Sequence, residues 1–481
     1  MLSIRLRVIP VMAALCVATA CATNPVTGER ELSLMSEQQE VQLGQQYDVE
    51  VRQQMGLYED PELQRYVEQI GMQLARASHR PELPWHFAVV DVPAVNAFAL
   101  PGGYIYMTRG IMAYLDNEAQ LAGVLGHEIG HVTARHAAQQ YTKATGGQLG
   151  LLALGIFVPE ARPFGQIAET GLALLFLKHG REDELQSDRL GVEYTAKAGW
   201  DPQGVPSFLN TLARISEETD RSGVPNWLST HPQPADRVGK AREAIAAVER
   251  PTSGLSVDRD EYLRRIDGII FGDNPEDGLV RDGEFVHPAM RFALRFPSQW
   301  RVSNSAAQVV AQAPNGDRVM MLMLEQLQGR NLEQAAVAAM QQRGLQLVQG
   351  QRAEIGGLQA FVGTYQGQLQ NVGAVGVLGA HILYGERVFL IVGMAPADAY
   401  SGAADEFSRS IRTFRQISRS EAANVRPNRV DLYVVRRGDT WQSLAQRSGG
   451  AVEPSTLAIM NGSASNQPPR VGERIKIVVE G

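Results

Sequence analysis

The sequence has no surplus of positive charge and no long apolar run. Its 52 Asp and Glu residues outnumber its 45 Lys and Arg residues, and the net charge of −7 gives no basic footprint for nucleic acid. The apolar run at residues 8–18 is shorter than the ~20 residues that a membrane-spanning helix needs. Pro159, Arg162 and Pro163 interrupt the apolar stretches of residues 142–179. We therefore expect no nucleic-acid partner. We interpret the stretches of residues 142–179 as helices that pack over the functional site, and the alternative is a lid or a surface that dips toward the lipid.

Cysteine is almost absent, because the chain contains only Cys16 and Cys21. A basic start, an apolar run and small residues before Cys21 are typical of an export signal over residues 1–20. The Ala-Thr-Ala-Cys sequence that ends at Cys21 resembles a bacterial lipobox, and cleavage there would leave no second cysteine for an intramolecular disulfide. The resemblance implies a lipid anchor on Cys21, and Ala22 implies retention at the outer membrane, in the periplasm. The alternative is an uncleaved membrane anchor.

Local helix signals follow the N-terminal region. Ser36, with Gln39 three residues later, has the pattern of a capping box and predicts a helix that runs to about Gly56. A second helix is predicted from near Pro61 to about Ala77, with apolar residues at helical spacing.

An H-E-x-x-H motif stands at residues 127–131, within an apolar, alanine-rich stretch. On an α-helix, His127 and His131 project from one face, one turn apart, so the two imidazoles can share a metal ion. Glu128 lies ~100° round from His127, where it can act as a general base. Zinc held by three protein ligands keeps a fourth position for water, whose pKa it lowers to about 7. The motif predicts the zinc helix of a metallopeptidase; the alternative is a pair of core histidines that only make hydrogen bonds.

The position of the third ligand separates the classes of zinc peptidase, and the pattern H-E-x-x-H-x-x-G-x-x-H fails here. Ala134 stands in place of the required Gly, and His136 comes one residue early. On a continuous helix, His136 would also point ~180° away from His127. The third ligand is therefore expected elsewhere in the chain.

A second predicted helix, at residues 181–191, offers acidic side chains. Glu184 and Asp188 stand at i and i+4, so one carboxylate can bind the metal while the other orients a ligand histidine. Glu182 and Asp183 lie beside them, and spacing alone does not choose among these acids.

The two motifs together resemble the gluzincin family that contains HtpX, the CAAX prenyl endopeptidases and the periplasmic lipoprotein proteases, metallopeptidase family 48. Its pattern is H-E-x-x-H followed by E-x-x-x-D, and the resemblance extends from about Cys21 to Val248. It implies one Zn²⁺ ion with the ligands His127, His131 and Glu184, the catalytic base Glu128 and the supporting acid Asp188.

The segment N-A-F-A-L-P-G-G at residues 96–103 predicts a hairpin, because two short extended runs flank Pro101 and two glycines. A sheet edge can pair with an extended polypeptide, and the family resemblance implies that this segment lies beside the active site. The predicted substrate-binding residues are Asn96, Ala97, Phe98 and Ala99. The alternative is a plain core hairpin.

The T-H-P-x-P-x-x-R pattern at residues 230–237 also recurs in the resembling family. A histidine on a proline-stiffened loop can occupy the open zinc position in a resting enzyme, so His231 is a candidate zinc gate. The alternative is a histidine in a surface turn.

The length of 481 residues suggests about three domains, and we predict an α+β multidomain protein. Residues 21–250 are expected to form a mainly helical gluzincin peptidase domain with a small sheet. A charged, Gly-rich linker is expected over residues 251–286. Period-two stretches and a helix near residues 332–343 predict an α+β accessory domain over residues 287–417, which resembles small PsbP-like or Mog-type folds.

The tail, residues 430–481, has the order strand, helix, helix, strand. It resembles a LysM module, a family that binds N-acetylglucosamine chains of peptidoglycan. The residues at the family positions are Tyr433, Gly438, Asp439, Thr440, Leu444, Asn461, Gly472 and Ile475.

These features predict an exported, lipid-anchored zinc endopeptidase that cleaves polypeptides in the bacterial periplasm. The family resemblance implies misfolded or stalled envelope proteins as substrates. One alternative is an envelope scaffold or chaperone with a plugged or silent zinc site, which binds peptidoglycan and protein partners. Another alternative, which rests on the tail alone, is an enzyme that cleaves peptidoglycan.

Overall fold

A computed structural model describes residues 21–147, 179–219, 227, 231, 236–248, 254–281, 283–304, 308–327, 331–369 and 372–480. The chain divides into two compact units, of which the second is residues 273–427 and the first contains the chain on both sides of it. The predicted export signal at residues 1–20 lies outside the described residues. The predicted α+β multidomain class is confirmed.

The helices are α1 Glu37–Met55, α2 Pro61–Arg76, α3 Arg109–Tyr114, α4 Glu118–Thr133, α5 His136–Gly147, α6 Arg181–Ala198, α7 Gly204–Thr219, α8 Arg237–Ala246, α9 Arg259–Ile266, α10 Leu332–Gln342, α11 Tyr400–Ile411, α12 Arg419–Ala423, α13 Trp441–Ala445 and α14 Pro454–Met460. The strands are β1 Cys21–Thr23, β2 Arg30–Leu32, β3 His86–Val90, β4 Ala97–Leu100, β5 Tyr104–Thr108, β6 Ile270–Phe271, β7 Leu279–Arg281, β8 Glu284–His287, β9 Phe292–Arg295, β10 Arg301–Asn304, β11 Gln308–Gln312, β12 Val319–Glu325, β13 Leu345–Ile355, β14 Leu358–Leu369, β15 Gly373–Tyr384, β16 Arg387–Pro396, β17 Arg415–Gln416, β18 Asn428–Val434 and β19 Arg474–Glu480. Among the described residues, no helix is both long and apolar enough to cross a membrane.

A three-stranded sheet lies beside the zinc-motif helix. Its order is β3-β5-β4, with β5 parallel to β3 and antiparallel to β4, so β4 is an edge strand. Gly102 in the β4–β5 turn has a φ of 78°, and a Cβ there would lie 2.5 Å from the Cα of Val41 in α1. The turn therefore needs glycine both for its backbone conformation and for its close packing on α1. As predicted, the N-A-F-A-L-P-G-G segment is a hairpin.

The helix α4 is buried along its whole length, with Asn117 as its N-cap, and α6 packs against it. Glycines make this packing close: a Cβ on Gly130 would lie 3.1 Å from the Cα of Ser187, and a Cβ on Gly191 would lie 3.1 Å from the backbone nitrogen of His127. Because the two backbones approach so closely, side chains at positions 127–131 of α4 meet those at 184–188 of α6.

The tail forms a sheet of order β19-β18-β6 with α13 and α14 between its two own strands. The strand β6 comes from the chain before the second unit, and Phe271 pairs with Asn428. The two points at which the chain enters and leaves the second unit are therefore adjacent. The predicted linker over residues 251–286 instead contains helix α9 and strands β6 and β7. The helix α9 is part of the first unit because it buries Tyr262, Leu263 and Ile266 in the core of that unit.

A buried lysine joins the tail to the start of α4. Lys476 of β19 is fully buried, and its Nζ donates to the carbonyl oxygen of Leu115 and lies 3.2 Å from Oδ1 of Asp116. A Cβ on Gly462 would lie 2.6 Å from Oδ2 of the same aspartate. The tail is thus packed directly onto the residues that precede the zinc-motif helix.

The second unit is an α+β structure. Its larger sheet is antiparallel with the order β10-β11-β12-β16-β15-β14-β13, and a smaller sheet has the order β17-β9-β8-β7. Phe407 of α11 packs with Phe389 on one face of the larger sheet, and Met340 of α10 packs with Leu390 on the other. This agrees with the α+β character expected for residues 287–417.

Candidate metal centre

Four buried side chains bring their donor atoms together between α4 and α6. They are His127, His131, Glu184 and His231, and one ligand atom from each lies within 4.8 Å of the others. The first two come from one face of α4, and Glu184 comes from the face of α6 that packs on α4. Of the neighbouring acids on α6, Glu182 is exposed and Asp183 is half-buried, whereas Glu184 is fully buried.

The distances among the predicted ligands fit a zinc ion. Nε2 of His127 is 3.0 Å from Nε2 of His131. The Glu184 carboxylate lies 3.6 Å from the first of these nitrogens and 3.4 Å from the second. Ligands about 2.0–2.1 Å from a tetrahedral zinc ion stand about 3.3–3.4 Å apart. Two imidazole nitrogens and one carboxylate at these spacings are a donor set that zinc prefers.

Asp188 fixes the orientation of His127. Its Oδ1 lies 2.9 Å from Nδ1 of His127, and a carboxylate can only accept there, so the ring proton is on Nδ1 and the lone pair of Nε2 points into the cluster. Arg237 holds Asp188 with two bonds of 2.7 Å, from Nε and Nη2. The supporting role expected for Asp188 is the role that this geometry allows.

Arg237 also neutralises charge on the third predicted ligand, since its Nη1 is 2.7 Å from Oε2 of Glu184. Burial raises the pKa of Glu184, but the charges of His231 and Arg237 and hydrogen bonds from both neighbouring histidines outweigh it. The pKa of this carboxyl is held well below its usual range. Burial also lowers the pKa of His131 well below its ordinary value, which favours the neutral form that binds metals.

Glu128 lies beside the cluster and is not part of the four-donor group. It is 1% exposed, and its Oε1 lies 3.7 Å from Nε2 of His231. That oxygen makes no hydrogen bond with the residues that the structure describes. Burial raises the pKa of Glu128. A buried carboxylate oxygen that accepts no hydrogen bond from the described residues, next to the metal cluster, is suited to take a proton.

His231 belongs to the cluster rather than to a surface turn. Its Nδ1 is 3.0 Å from Oε1 of Glu184 and 3.4 Å from Nε2 of His127. Its ring stacks on Trp227, with centroids 4.2 Å apart and an interplanar angle of 14°. The guanidinium group of Arg237 also lies over the Trp227 ring, 5.0 Å from the ring centroid. His231 therefore occupies the same kind of position as the three predicted ligands.

A pocket opens beside Glu128 and His131. Ala99 and Leu100 of the edge strand form part of its wall. Of the predicted substrate-binding residues, Ala99 thus lines the pocket. Asn96, Ala97 and Phe98 are buried and are not among its wall residues. The remaining wall residues are Glu40, Pro101, Gly102, Val132, Arg135, Ala137, Ala138 and His179.

Three residues near the cluster were not predicted from the sequence to contribute to the site. His136 hydrogen-bonds to His131, and the ring of His179 lies 3.9 Å from that of His131, centroid to centroid. Arg237 is the final residue of the T-H-P-x-P-x-x-R pattern. That arginine was visible in the motif, but only the packing of α8 on α6 shows that it pairs with both acids of α6.

Comparisons with known proteins agree with these features. The model of peptidase family M48 matches residues 61–245, and that of the LysM domain matches residues 433–478. The beta-barrel assembly-enhancing protease of Escherichia coli (strain K12) is 35% identical over 237 residues, 47% of each chain. The Yersinia pestis protein of the same name is 30% identical over 338 residues, 66% of this chain and 69% of that protein. The mitochondrial metalloendopeptidase OMA1 of Arabidopsis thaliana is 34% identical over 174 residues, 36% of this chain and 33% of that protein.

The chain spans about half the length of the Escherichia coli relative. Among solved structures, cyanobacterial PsbP from Synechocystis sp. PCC 6803 matches 28% of this chain and 91% of its own, at 11% identity and a TM-score of 0.22. The Ran-binding protein Mog1p of Saccharomyces cerevisiae matches 30% of this chain and 98% of its own, at 13% identity and a TM-score of 0.23.

Proposed function

The chain belongs to peptidase family M48 and carries a LysM domain, as the two motifs and the tail predict, and from this membership we propose that it is a zinc-dependent endopeptidase. The observation that carries the proposal is the position of Glu128. One oxygen of its carboxylate has no hydrogen-bond partner among the described residues, and Glu128 lies at the edge of a donor set with zinc spacing and on the wall of an open pocket.

His127, His131 and Glu184 would hold the zinc ion, which would supply polarisation of the substrate carbonyl and a lowered pKa for water. Glu128 takes the proton of the attacking water on its free carboxylate oxygen. It then gives that proton to the leaving nitrogen as the C–N bond breaks. Asp188 keeps His127 in the tautomer that presents Nε2 to the site.

The substrate is proposed to be an extended polypeptide that adds to the β4 edge of the small sheet. In the described part of the chain, β4 has a hydrogen-bonded strand, β5, on one side only. The pocket beside Ala99 and Leu100 would receive a substrate side chain. Backbone pairing along Asn96–Ala99 needs an unfolded or extended segment, so folded proteins would be poor substrates.

The setting of the reaction is proposed to be the bacterial envelope. A lipid on Cys21 would hold the protein at the outer membrane, on its periplasmic side, and the LysM domain would bind peptidoglycan. The bacterial relatives are named for the assembly of beta-barrels. Misfolded or stalled envelope proteins are therefore the substrates that we propose.

Metal removal tests the reaction. Treating the purified chain with a zinc chelator such as 1,10-phenanthroline should abolish the cleavage of unfolded casein, and adding Zn²⁺ back should restore it. Purified sacculi serve as the comparison, because an enzyme that cleaves peptidoglycan would digest them. Casein cleavage that survives complete zinc removal, or digestion of sacculi without cleavage of casein, would reject the proposal.

We propose further that His231 is a gate on the zinc site. With His231 as a fourth donor the site is closed, since a zinc ion with four protein ligands keeps no position for water. The separation of 3.4 Å between its Nδ1 and Nε2 of His127 is that of a tetrahedral site, and the 3.0 Å to Oε1 of Glu184 is slightly shorter. The resting enzyme would then be inactive until His231 moves away.

Replacing His231 with Ala should raise the basal rate of casein cleavage by about threefold or more, because it removes the closed state from the equilibrium. The rate is measured on protein with verified zinc content. His86→Ala, at an exposed histidine of β3, is the matched control and should leave the rate unchanged. An unchanged or lower rate in a folded His231→Ala protein contradicts the gate.

A further inference from the structure

A hydrogen-bonded pair of histidines lies behind the metal cluster. Nδ1 of His131 is 2.9 Å from Nδ1 of His136, and Nε2 of His136 is 3.0 Å from Oε1 of Gln186. These three side chains form one continuous chain, which starts at a zinc ligand and ends on the helix that carries Glu184. Both histidines are buried, at 4% and 1% exposure, so bulk water does not compete for these bonds.

Zinc binding at His131 determines which atom donates and which accepts in each of these two hydrogen bonds. In this respect the inference rests on the proposed function. A His131 that binds zinc through Nε2 carries its ring proton on Nδ1. That N–H must donate to Nδ1 of His136, which can accept only when His136 is neutral with its own proton on Nε2. Oε1 of Gln186 then accepts this second proton. Each partner thus has the donor or acceptor that the next one requires.

Arg135 explains how His136 reaches this position. The helix α4 ends at Thr133, and Arg135 has a φ of 61°, in the left-handed region that non-glycine residues rarely adopt. Such a conformation persists only where the surroundings hold it. The Arg135 guanidinium donates to Oε1 of Glu40 at 2.5 Å and to the carbonyl oxygen of Met35 at 2.6 Å. The helix is therefore interrupted here, and α5 begins with the His136 ring 5.0 Å from the His131 ring, centroid to centroid.

The two ligand histidines are oriented by different chemistry. His127 donates to the Asp188 carboxylate, whose charge Arg237 neutralises. His131 instead donates to the His136 imidazole, whose Nε2 lies 3.0 Å from Oε1 of Gln186 and 3.8 Å from Oδ1 of Asp183. We propose that His136 is a positioning residue, which fixes the tautomer and ring orientation of the zinc ligand His131 through this hydrogen-bonded relay to Gln186.

The zinc affinity of the purified protein tests the relay without any measurement of proteolysis. His136→Asn keeps an acceptor close to the position of Nδ1, because the amide oxygen takes its place, whereas His136→Leu removes the acceptor. Loss of such a partner typically costs 10–100-fold in metal affinity, so His136→Leu should weaken zinc binding by about 10–100-fold and His136→Asn by no more than about threefold. Competition with a chromophoric chelator gives both values on the purified chain. The visible spectrum of the cobalt-substituted protein should change with His136→Leu and not with His136→Asn.

Wild-type zinc affinity together with a wild-type cobalt spectrum in folded His136→Leu protein would overturn the relay. An equal loss in both His136 variants would also overturn it, because burial alone would then explain the effect. Should His136→Leu fail to fold, Gln186→Met decides: the relay requires weaker zinc binding there, and unchanged binding rejects it. A wild-type chain that binds no zinc would instead overturn the proposed function, so the two failures are distinguishable.

Discussion

Replacing Glu128 with Gln should lower the rate of casein cleavage by about 10²–10⁴-fold, the range that general acid–base catalysis contributes. The amide has the shape of the carboxylate but cannot take up a proton from water. Glu128 is buried, and its Oε1 has no hydrogen-bond partner among the described residues, so the substitution breaks no hydrogen bond of that oxygen. Zinc content and thermal stability should therefore stay close to those of the wild type.

The matched control is Glu193→Gln on α6, a partly exposed glutamate that pairs with Lys197 on the surface. Surface pairs contribute little, so this variant should cleave casein at the wild-type rate. Casein cleavage that persists in zinc-loaded Glu128→Gln protein would show that Glu128 is not the general base. The scaffold alternative is tested by the same variant in cells, because a scaffold predicts that Glu128→Gln retains its cellular role in full.

Replacing Lys476 with Met should lower the free energy of unfolding of the first unit by about 3–5 kcal/mol, because breaking a buried ion pair leaves the other charge uncompensated. Lys476 is fully buried, and Asp116 is 8% exposed. Burial lowers the pKa of Lys476, and the charge of Asp116 opposes this shift, so the charged form of the lysine depends on its partner. The loss is measured by urea unfolding of the wild type and the variant.

A double variant, Lys476→Met with Asp116→Asn, should recover part of the loss, since the stranded carboxylate is removed as well. Lys240→Met is the control, because Lys240 is exposed and pairs with Glu243 on the surface. Its effect should stay within about 0.5 kcal/mol. A loss below about 1 kcal/mol in Lys476→Met would show that the tail is not fastened to the zinc helix through this lysine.

The LysM domain is joined to the rest of the first unit by strand pairing and by a buried lysine. Its strand β18 pairs with β6, and its buried lysine holds the residues just before α4. Under the proposed function, bound peptidoglycan would therefore stand at a fixed orientation to the zinc site. The second unit is inserted between the paired Phe271 and Asn428, so it can vary without interrupting this connection.

Local features of the fold could be read from the sequence because they depend on residues a few positions apart. The capping box of Ser36 and Gln39 is present, and the helix that it opens ends at Met55, beside the predicted end. The second helix begins at Pro61 and ends at Arg76. The spacing of His127 and His131 on one helix face likewise needs nothing beyond helical geometry.

Two interpretations at the site needed information that local spacing does not contain. The acids of residues 182–184 are equivalent in the sequence, and Glu184 is distinguished by its complete burial against α4. His136 was expected to point away from the metal on a continuous helix. The helix ends before it, because Arg135 is held in a left-handed turn by Glu40, 95 positions away in the sequence.

The sequence by itself determined the family, the pair of candidate metal ligands on one helix face and the first helices of the chain, since these follow from motifs and short-range periodicity. Only the tertiary structure decided which acid faces the histidines, how His136 and Arg237 orient the ligands, and where the tail is fastened. The reason is physical: these choices depend on hydrogen bonds and close packing between segments 49 to 361 positions apart, such as Arg237 with Asp188 and Lys476 with Leu115.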